Sequence, residues 1–354
     1  MAQGIEKIKK LLADPTLTEI MINGYQATWL EIGGGKTKID VVFSEEDIQE
    51  IIDEYFTKVG KIISYYTPYG DVCTDDGSRI NIIQFPLARC GTTITIRKFD
   101  RELHTLDDLV ARDTLNEKMA EFLIACIKGK VNILFSGATG SGKTTTMEML
   151  SHHIPEQERL VTIEDTAELI LHQENMVQME TRTPDKDGKG EVTLRDLIRN
   201  ALRMRPDRLI VGEVRGPEAL DMIQAMSTGH RGTLAVIHAN SPQDVNSRME
   251  TLILSSGIKL PIQEIRRLIG NTINVIVQQE RSPDGVRRIT HISELRGIER
   301  NEVSVQDLFI FRREAKGPDG KIRGRFRTVM RHYPRFFPEF QRLELLDDKA
   351  FSED

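Results

Sequence analysis

Residues 137–144 read Gly-Ala-Thr-Gly-Ser-Gly-Lys-Thr and follow directly on the apolar run Val131 to Phe135. They satisfy the phosphate-loop pattern G-x-x-x-x-G-K-[ST] at every specified position. Glycines let the backbone turn tightly enough for successive N–H groups to point into one concavity. There, with the N-terminus of the following helix, they can hold the β-phosphate of a nucleotide. In that frame Lys143 bridges the β- and γ-phosphates and Thr144 offers its hydroxyl to Mg²⁺. The expected nucleotide-binding set is Gly137, Ala138, Thr139, Gly140, Ser141, Gly142, Lys143, Thr144 and Thr145, and the expected ligands are ATP and Mg²⁺.

Open parallel sheets bind ligands outside the carboxyl ends of their strands, so polar residues that terminate apolar runs are the next candidates. Leu160 to Ile163 ends in Glu164-Asp165, Leu209 to Gly212 ends in Glu213, and Leu234 to Ile237 ends in His238. If these strands neighbour the phosphate-loop strand, two carboxylates and an imidazole converge on the γ-phosphate. Glu213 is then the expected water-activating base. Glu164 and Asp165 would hold Mg²⁺ through its waters, since this ion keeps much of its hydration shell, and His238 would sense or donate to the γ-phosphate. Each has a competing reading: helix capping for Glu164 and Asp165, pairing with Arg215 for Glu213, and a structural histidine for His238 and His230.

The elements that must position these groups follow from patterning. The chain has 354 residues, 39% hydrophobic and 29% charged, enough for two domains with separate cores. The first hundred residues read as a smaller α/β domain. Ser44 with Asp47 announces a capped helix carrying Ile48, Ile51, Ile52, Tyr55, Phe56 and Val59 at helical spacing. Glu19 to Asn23, Thr28 to Ile32, Arg79 to Ile83 and Thr92 to Arg97 read as strands of an antiparallel sheet. The polar stretch 99–107 reads as a linker between an N-terminal domain of 1–98 and a nucleotide domain of 108–354 with a C-terminal extension from about 300. In the second domain helices are punctuated by Thr193 and Pro206, by Pro217 and Gly229, and by Ser241-Pro242. Short apolar runs between them predict a parallel sheet with crossover helices, and Thr183 to Gly190 predicts a surface loop.

No apolar stretch approaches the roughly 18 residues needed to cross a bilayer, which predicts a cytoplasmic protein. Cys73, Cys90 and Cys126 are an odd number without a C-x-x-C pair, so no disulfide framework and no zinc is expected. A net charge of −6 argues against indiscriminate nucleic-acid binding. Arg79, Arg97 and Arg101 have no local carboxylate pattern that explains them all, so they read either as surface solubility or as cations reaching a nucleotide at a domain or subunit boundary.

Four segments, taken in order and spacing, resemble the type II/type IV secretion ATPase superfamily: residues 137–145, Thr162 to Glu168, Leu202 to Glu218 and Thr228 to Pro242. They stand where that family has its Walker A motif, Asp box, Walker B motif with Gly-Glu, and His box. The wording of the last two, with the tail Val305 to Phe311 and Gly320 to Phe326, is most similar to the CpaF-type ATPases of tight-adherence (Flp) pilus assembly. The resemblance implies a RecA-like ATPase domain preceded by a PAS-like N-terminal domain, and a homo-hexameric motor. It also implies peripheral docking on an inner-membrane platform protein of a pilus or secretion machine. By position Arg79 and Arg97 match the family arginines that contact the nucleotide, and His230 belongs to the His box. The four-cysteine zinc module of type II secretion relatives is missing from this sequence. Between Arg312 and Arg335 nine Lys and Arg face only Glu314 and Asp319, as in a solvated hairpin or a docking patch for an acidic loop or anionic lipid. Two rivals are a conjugation ATPase of the same superfamily and a nucleotide-binding regulator that does not hydrolyse.

Overall fold

The computed structural model describes residues 3–33, 35–74, 76–98, 105–184, 187–318 and 320–352. They fall into two units: the described residues of 1–102 with Thr166–Glu168 and Arg182–Glu191, and the rest of the chain. Arg101 and most of the expected linker lie outside the described residues. Thr105 already caps a helix through Asp108, so 105–107 belong to structure and not to the connection.

In the first unit the helices are α1 (Gln3–Leu12) and α2 (Glu45–Tyr55), and the strands are β1 (Leu17–Asn23), β2 (Ala27–Ile32), β3 (Gly35–Ile39), β4 (Tyr69–Cys73), β5 (Arg79–Ile83) and β6 (Thr93–Arg97). The strands pair antiparallel in the order β3-β2-β1-β6-β5-β4. Ser44 and Asp47 form the reciprocal capping box at the start of α2. Alternation then does the rest: Ile20, Ile22, Ile80, Ile82, Ile94 and Ile96 all point to one face and pack with Ile8, Ile48, Ile51 and Ile52. Sequence patterning finds the four inner strands and misses both edges. β3 is exposed along nearly its whole length, and β4 buries only Val72, so neither carries an apolar signature.

The second unit runs α3 (Leu106–Ala111), α4 (Glu117–Lys128), β7 (Ile133–Ser136), α5 (Lys143–Ser151), β8 (Leu160–Glu164), β9 (Met176–Glu180), α6 (Leu194–Ala201), β10 (Arg208–Val214), α7 (Glu218–Ser227), β11 (Leu234–Ile237), α8 (Pro242–Ser255), α9 (Ile262–Thr272), β12 (Val275–Arg281), β13 (Arg287–Glu299), β14 (Glu302–Lys316), β15 (Ile322–Thr328) and α10 (Phe337–Arg342). Its strands make one sheet in the order β15-β14-β13-β12-β7-β11-β10-β8-β9. The six from β12 to β9 are parallel, as the alternation of strands and helices predicts. The three beyond β12 are antiparallel. Within the expected C-terminal extension, β14 and β15 continue the nucleotide-domain sheet beyond β13. Ile133 and Phe135 face one core and Leu134 the other, so the parallel strands are buried on both sides. Among the described residues no helix is long and apolar enough to cross a membrane.

Candidate nucleotide site

Strand β7 delivers the chain into the phosphate loop and α5 takes it away, with Gly142 as the residue before the helix at φ 98°. A Cβ on Gly137 would sit 2.0 Å from the Gln279 carbonyl oxygen, and one on Gly142 would sit 2.8 Å from Gln279 Nε2. The loop can follow this path only without side chains at those positions. Lys143, only 6% exposed, donates from Nζ to the Ala138 carbonyl at 2.8 Å. The Ser141 N–H donates to the same oxygen at 3.3 Å. A cradle of glycines with a buried ammonium and loop amides converging on one acceptor is the donor set a phosphate needs, so these residues fit the nucleotide that the motif implies. Ala138 and Thr139 are exposed at the mouth, and Thr144 and Thr145 are half-buried in the first turn of α5.

The strand order brings the other candidates toward this loop by unequal steps. β11 is adjacent to β7, β10 lies one strand further, and β8 one further still. His238, just past β11, places Nε2 2.9 Å from Glu213 Oε1. Arg215 holds Glu213 Oε2 at 2.7 Å and approaches Asp165 at 3.5 Å, so one guanidinium ties together the acids that end β10 and β8. Burial pushes the Glu213 carboxyl up, but the hydrogen bond and charge of Arg215, with His238 and Lys143, more than offset it, and the net pKa is lowered. Glu213 thus stands as a carboxylate within electrostatic reach of Lys143. The pairing with Arg215 that sequence offered as a competing reading is present. It does not exhaust the group, because each carboxylate oxygen has two acceptor sites.

A bulge aims this carboxylate. β10 pairs Ile210 and Val211 with Leu234 and Ala235, then resumes at Val214 with Ile237, so Gly212 and Glu213 together oppose one residue of β11. Gly212 also makes room: a Cβ there would lie 2.8 Å from Glu164 Cγ, so the Glu164 side chain lies across the bare backbone of β10. Glu164 is 3% exposed and accepts the Leu169 N–H at 3.1 Å. The turn after β10 is held by buried Glu218, whose Oε1 accepts the N–H groups of Arg215 at 2.7 Å and Gly216 at 2.6 Å.

One expectation needs correction. His230 does not join the group. It precedes β11, at the amino end of the sheet, with Nδ1 3.2 Å from the Ala225 carbonyl and its own carbonyl accepting from Thr233. A cavity of about 500 Å³ lined by Asn132, Gly229, Arg231, Arg267 and Asn274 lies at that same end, away from the phosphate loop. Arg79 pairs with Asp71 at 3.4 Å and, more closely, with Glu168. Arg97 stands directly opposite Arg79 in the β5–β6 register and is exposed.

Four residues escaped the sequence reading. Gln279 and Arg287 brace the loop from β12 and β13, since Gln279 Oε1 accepts from Thr146 at 2.9 Å and Arg287 Nε donates to Gly140 at 3.2 Å. Glu218 is the third. The fourth is Glu148, 5% exposed on α5, whose pKa is pushed up to about 7 by burial and the neighbouring Glu164 carboxylate, against a hydrogen bond from the Ile170 amide. Glu148 lies four residues after Thr144 and so on the same helix face, but that spacing alone does not set it apart from an ordinary helix residue.

The profile of the type II/IV secretion system protein family matches residues 2–289. The conjugal transfer protein TrbB of Rhizobium radiobacter is 31% identical over 305 residues, covering 83% of this chain and 88% of its own. The type IV secretion system protein VirB11 of Bartonella quintana is 31% identical over 327 residues, covering 81% of this chain and 91% of its own. Among solved structures the Legionella pneumophila ATPase DotB has the same fold, with a TM-score of 0.61 at 19% identity over 82% of this chain and 80% of that one. With a phosphate loop, the three acid- and histidine-bearing strand ends and a family profile that spans most of its length, this chain belongs to the type II/IV secretion system proteins, the ATPases of secretion, pilus and conjugation machines.

Proposed function

We propose that the protein hydrolyses ATP to ADP and phosphate with Mg²⁺ and uses the cycle to drive a pilus or secretion machine. The observation that carries this reading is Glu213, ionised, aimed by a bulge and held by His238 and Arg215 within the field of Lys143. Phosphoryl transfer needs little covalent chemistry beyond charge neutralisation and an oriented water. In this reading Glu213 orients the attacking water and accepts its proton, and Lys143 exchanges the Ala138 carbonyl for phosphate oxygens. The loop amides from Gly137 to Thr145 hold the β-phosphate, and His238 follows the γ-phosphate from its place beside Glu213. Mg²⁺, when bound, would neutralise charge between the β- and γ-phosphates, with Thr144 as direct ligand and Glu164 and Asp165 acting through its waters.

We infer a homo-hexamer in which Arg79 and Arg97 are cations offered to the nucleotide of a neighbouring copy. The ring would sit in the cytoplasm, peripheral to the inner membrane, against a platform protein. The tail segments favour the Flp-pilus subtype, whereas the likeness to TrbB favours a conjugation machine as the second reading. An affinity pull-down from membranes separates them by whether a pilus platform or a conjugation channel is recovered. The enzymatic reading is tested with Glu213→Gln, expected to lower hydrolysis by about 100-fold while ADP still binds, and with Lys143→Ala, expected to abolish binding itself. Unchanged phosphate release by Glu213→Gln would remove Glu213 as the base, and wild-type protein that binds ADP but releases no phosphate would leave the non-hydrolysing regulator as the better account.

A further inference from the structure

We propose that Gln279 and Arg287 are positioning residues for nucleotide binding, a clamp that holds the phosphate loop in its anion-accepting shape from the strands past it. Neither belongs to the four motif segments. This inference rests on the loop being the nucleotide site.

The geometry is specific to the loop. Gln279 is 2% exposed, and its three polar functions all address the loop and its helix. Oε1 accepts the Thr146 hydroxyl at 2.9 Å, Nε2 lies where a Cβ of Gly142 would come to 2.8 Å, and the backbone carbonyl lies where a Cβ of Gly137 would come to 2.0 Å. Arg287 donates from Nε to the Gly140 carbonyl at 3.2 Å and lays its Cδ where a Cβ of Gly142 would come to 3.2 Å. Three glycines of one loop are thus backed by two residues of one hairpin.

An anion cradle works only if consecutive N–H groups face inward, which turns the carbonyls between them outward and leaves them needing donors. Arg287 supplies the donor for the outward carbonyl of Gly140. Without it, the 140–141 peptide can rotate and present oxygen where phosphate oxygen must go. Gln279 fixes the other end by tying the first turn of α5 through Thr146. A loop held this way does not have to be ordered by its ligand, so the benefit appears as affinity. A β12–β13 register shift between Gln278 and Gln279 sets the hairpin at this point.

The test uses the full chain with Gln279→Ala, Gln279→Glu, Arg287→Ala and Arg287→Lys. Two measurements are made: hydrogen–deuterium exchange at the 137–146 amides without nucleotide, and ADP affinity by calorimetry. Both alanine variants are expected to bind ADP at least tenfold more weakly and to exchange the loop amides faster, while amides of the strands keep their protection. Arg287→Lys keeps a cation able to donate to Gly140 and should recover most of the affinity. Gln279→Glu keeps the Thr146 acceptor and the shape, so it should fold normally, yet its charge beside Gly142 should weaken ADP as much as the alanine does. Wild-type affinity and exchange in the alanine variants overturns the clamp alone, as does faster exchange spread evenly over the sheet. A wild-type chain that does not bind ADP overturns the nucleotide reading and the clamp together.

Discussion

Replacing Glu148 by glutamine should stabilise the protein at alkaline pH and leave it nearly unchanged in acid. The carboxyl is 5% exposed and beside Glu164, and its pKa is raised from an ordinary 4.5 to about 7. A raised acid in the folded state binds its proton more tightly there than in the unfolded chain. The associated stability is fully present below pH 4.5 and is lost as pH rises through about 7. At about 1.4 kcal/mol per pKa unit the whole loss is about 3 kcal/mol, and near-complete burial leaves little solvent screening to reduce it. Glutamine keeps an acceptor for the Ile170 amide and has no proton to lose, so its stability should lack this slope. Denaturant unfolding of wild type and Glu148→Gln at pH 5 and pH 8.5 measures the difference directly. For a unit of this size each kcal/mol moves the midpoint by roughly 2–4 °C, so thermal scans should show the variant gaining several degrees at the higher pH only. Equal pH slopes for the two proteins would refute the reasoning, because the buried pair would then not be holding a proton.

Arg215→Ala should shift the acid limb of the hydrolysis profile to higher pH, because burial then acts on Glu213 without the guanidinium that outweighs it. A pH–rate series from 5 to 9 reads this, and an unmoved limb means Arg215 does not set the ionisation. Gly212→Ala puts a Cβ 2.8 Å from Glu164 Cγ. It should displace that side chain at a cost of about 1–3 kcal/mol, lowering phosphate release while ADP affinity stays near wild type. Loss of both together would mean the residue supports the loop and not the acid.

The legible parts of this chain are those where one residue type is forced by local geometry. Glycines that cannot carry a Cβ, Ser44, Thr193 and Ser241 at helix starts, and apolar runs cut off by an acid or histidine each announce themselves without knowledge of their neighbours. What was not legible depends on partners distant in sequence. Gln279 and Arg287 lie well over a hundred residues beyond the loop they touch, and nothing in a Gln-Gln pair within a strand says which face carries the phosphate helix. Glu148 looked like an ordinary helix residue, and only the fold puts Glu164 beside it. His230 erred the other way. It lies eight residues before His238, but with β11 between them it ends at the opposite end of the sheet.

The position of Glu213 shows how the strand-end residues come together although sequence reasoning assumes too simple a sheet. Glu213 is separated from the phosphate-loop strand by all of β11, and at about 4.8 Å per strand a regular β10 would leave its acid two strand spacings from β7. The extra residue at Gly212–Glu213 breaks the alternation of β10 just where the carboxylate is needed. It lets His238, on the intervening strand, meet Glu213 at 2.9 Å and pass the contact one strand closer to the loop. The glycine of the Gly-Glu pair contributes its missing side chain, which leaves space for Glu164 beside the bulge. A side chain at 212 would displace Glu164 from that seat. The site thus depends on the backbone of β10 as much as on the carboxylates it carries.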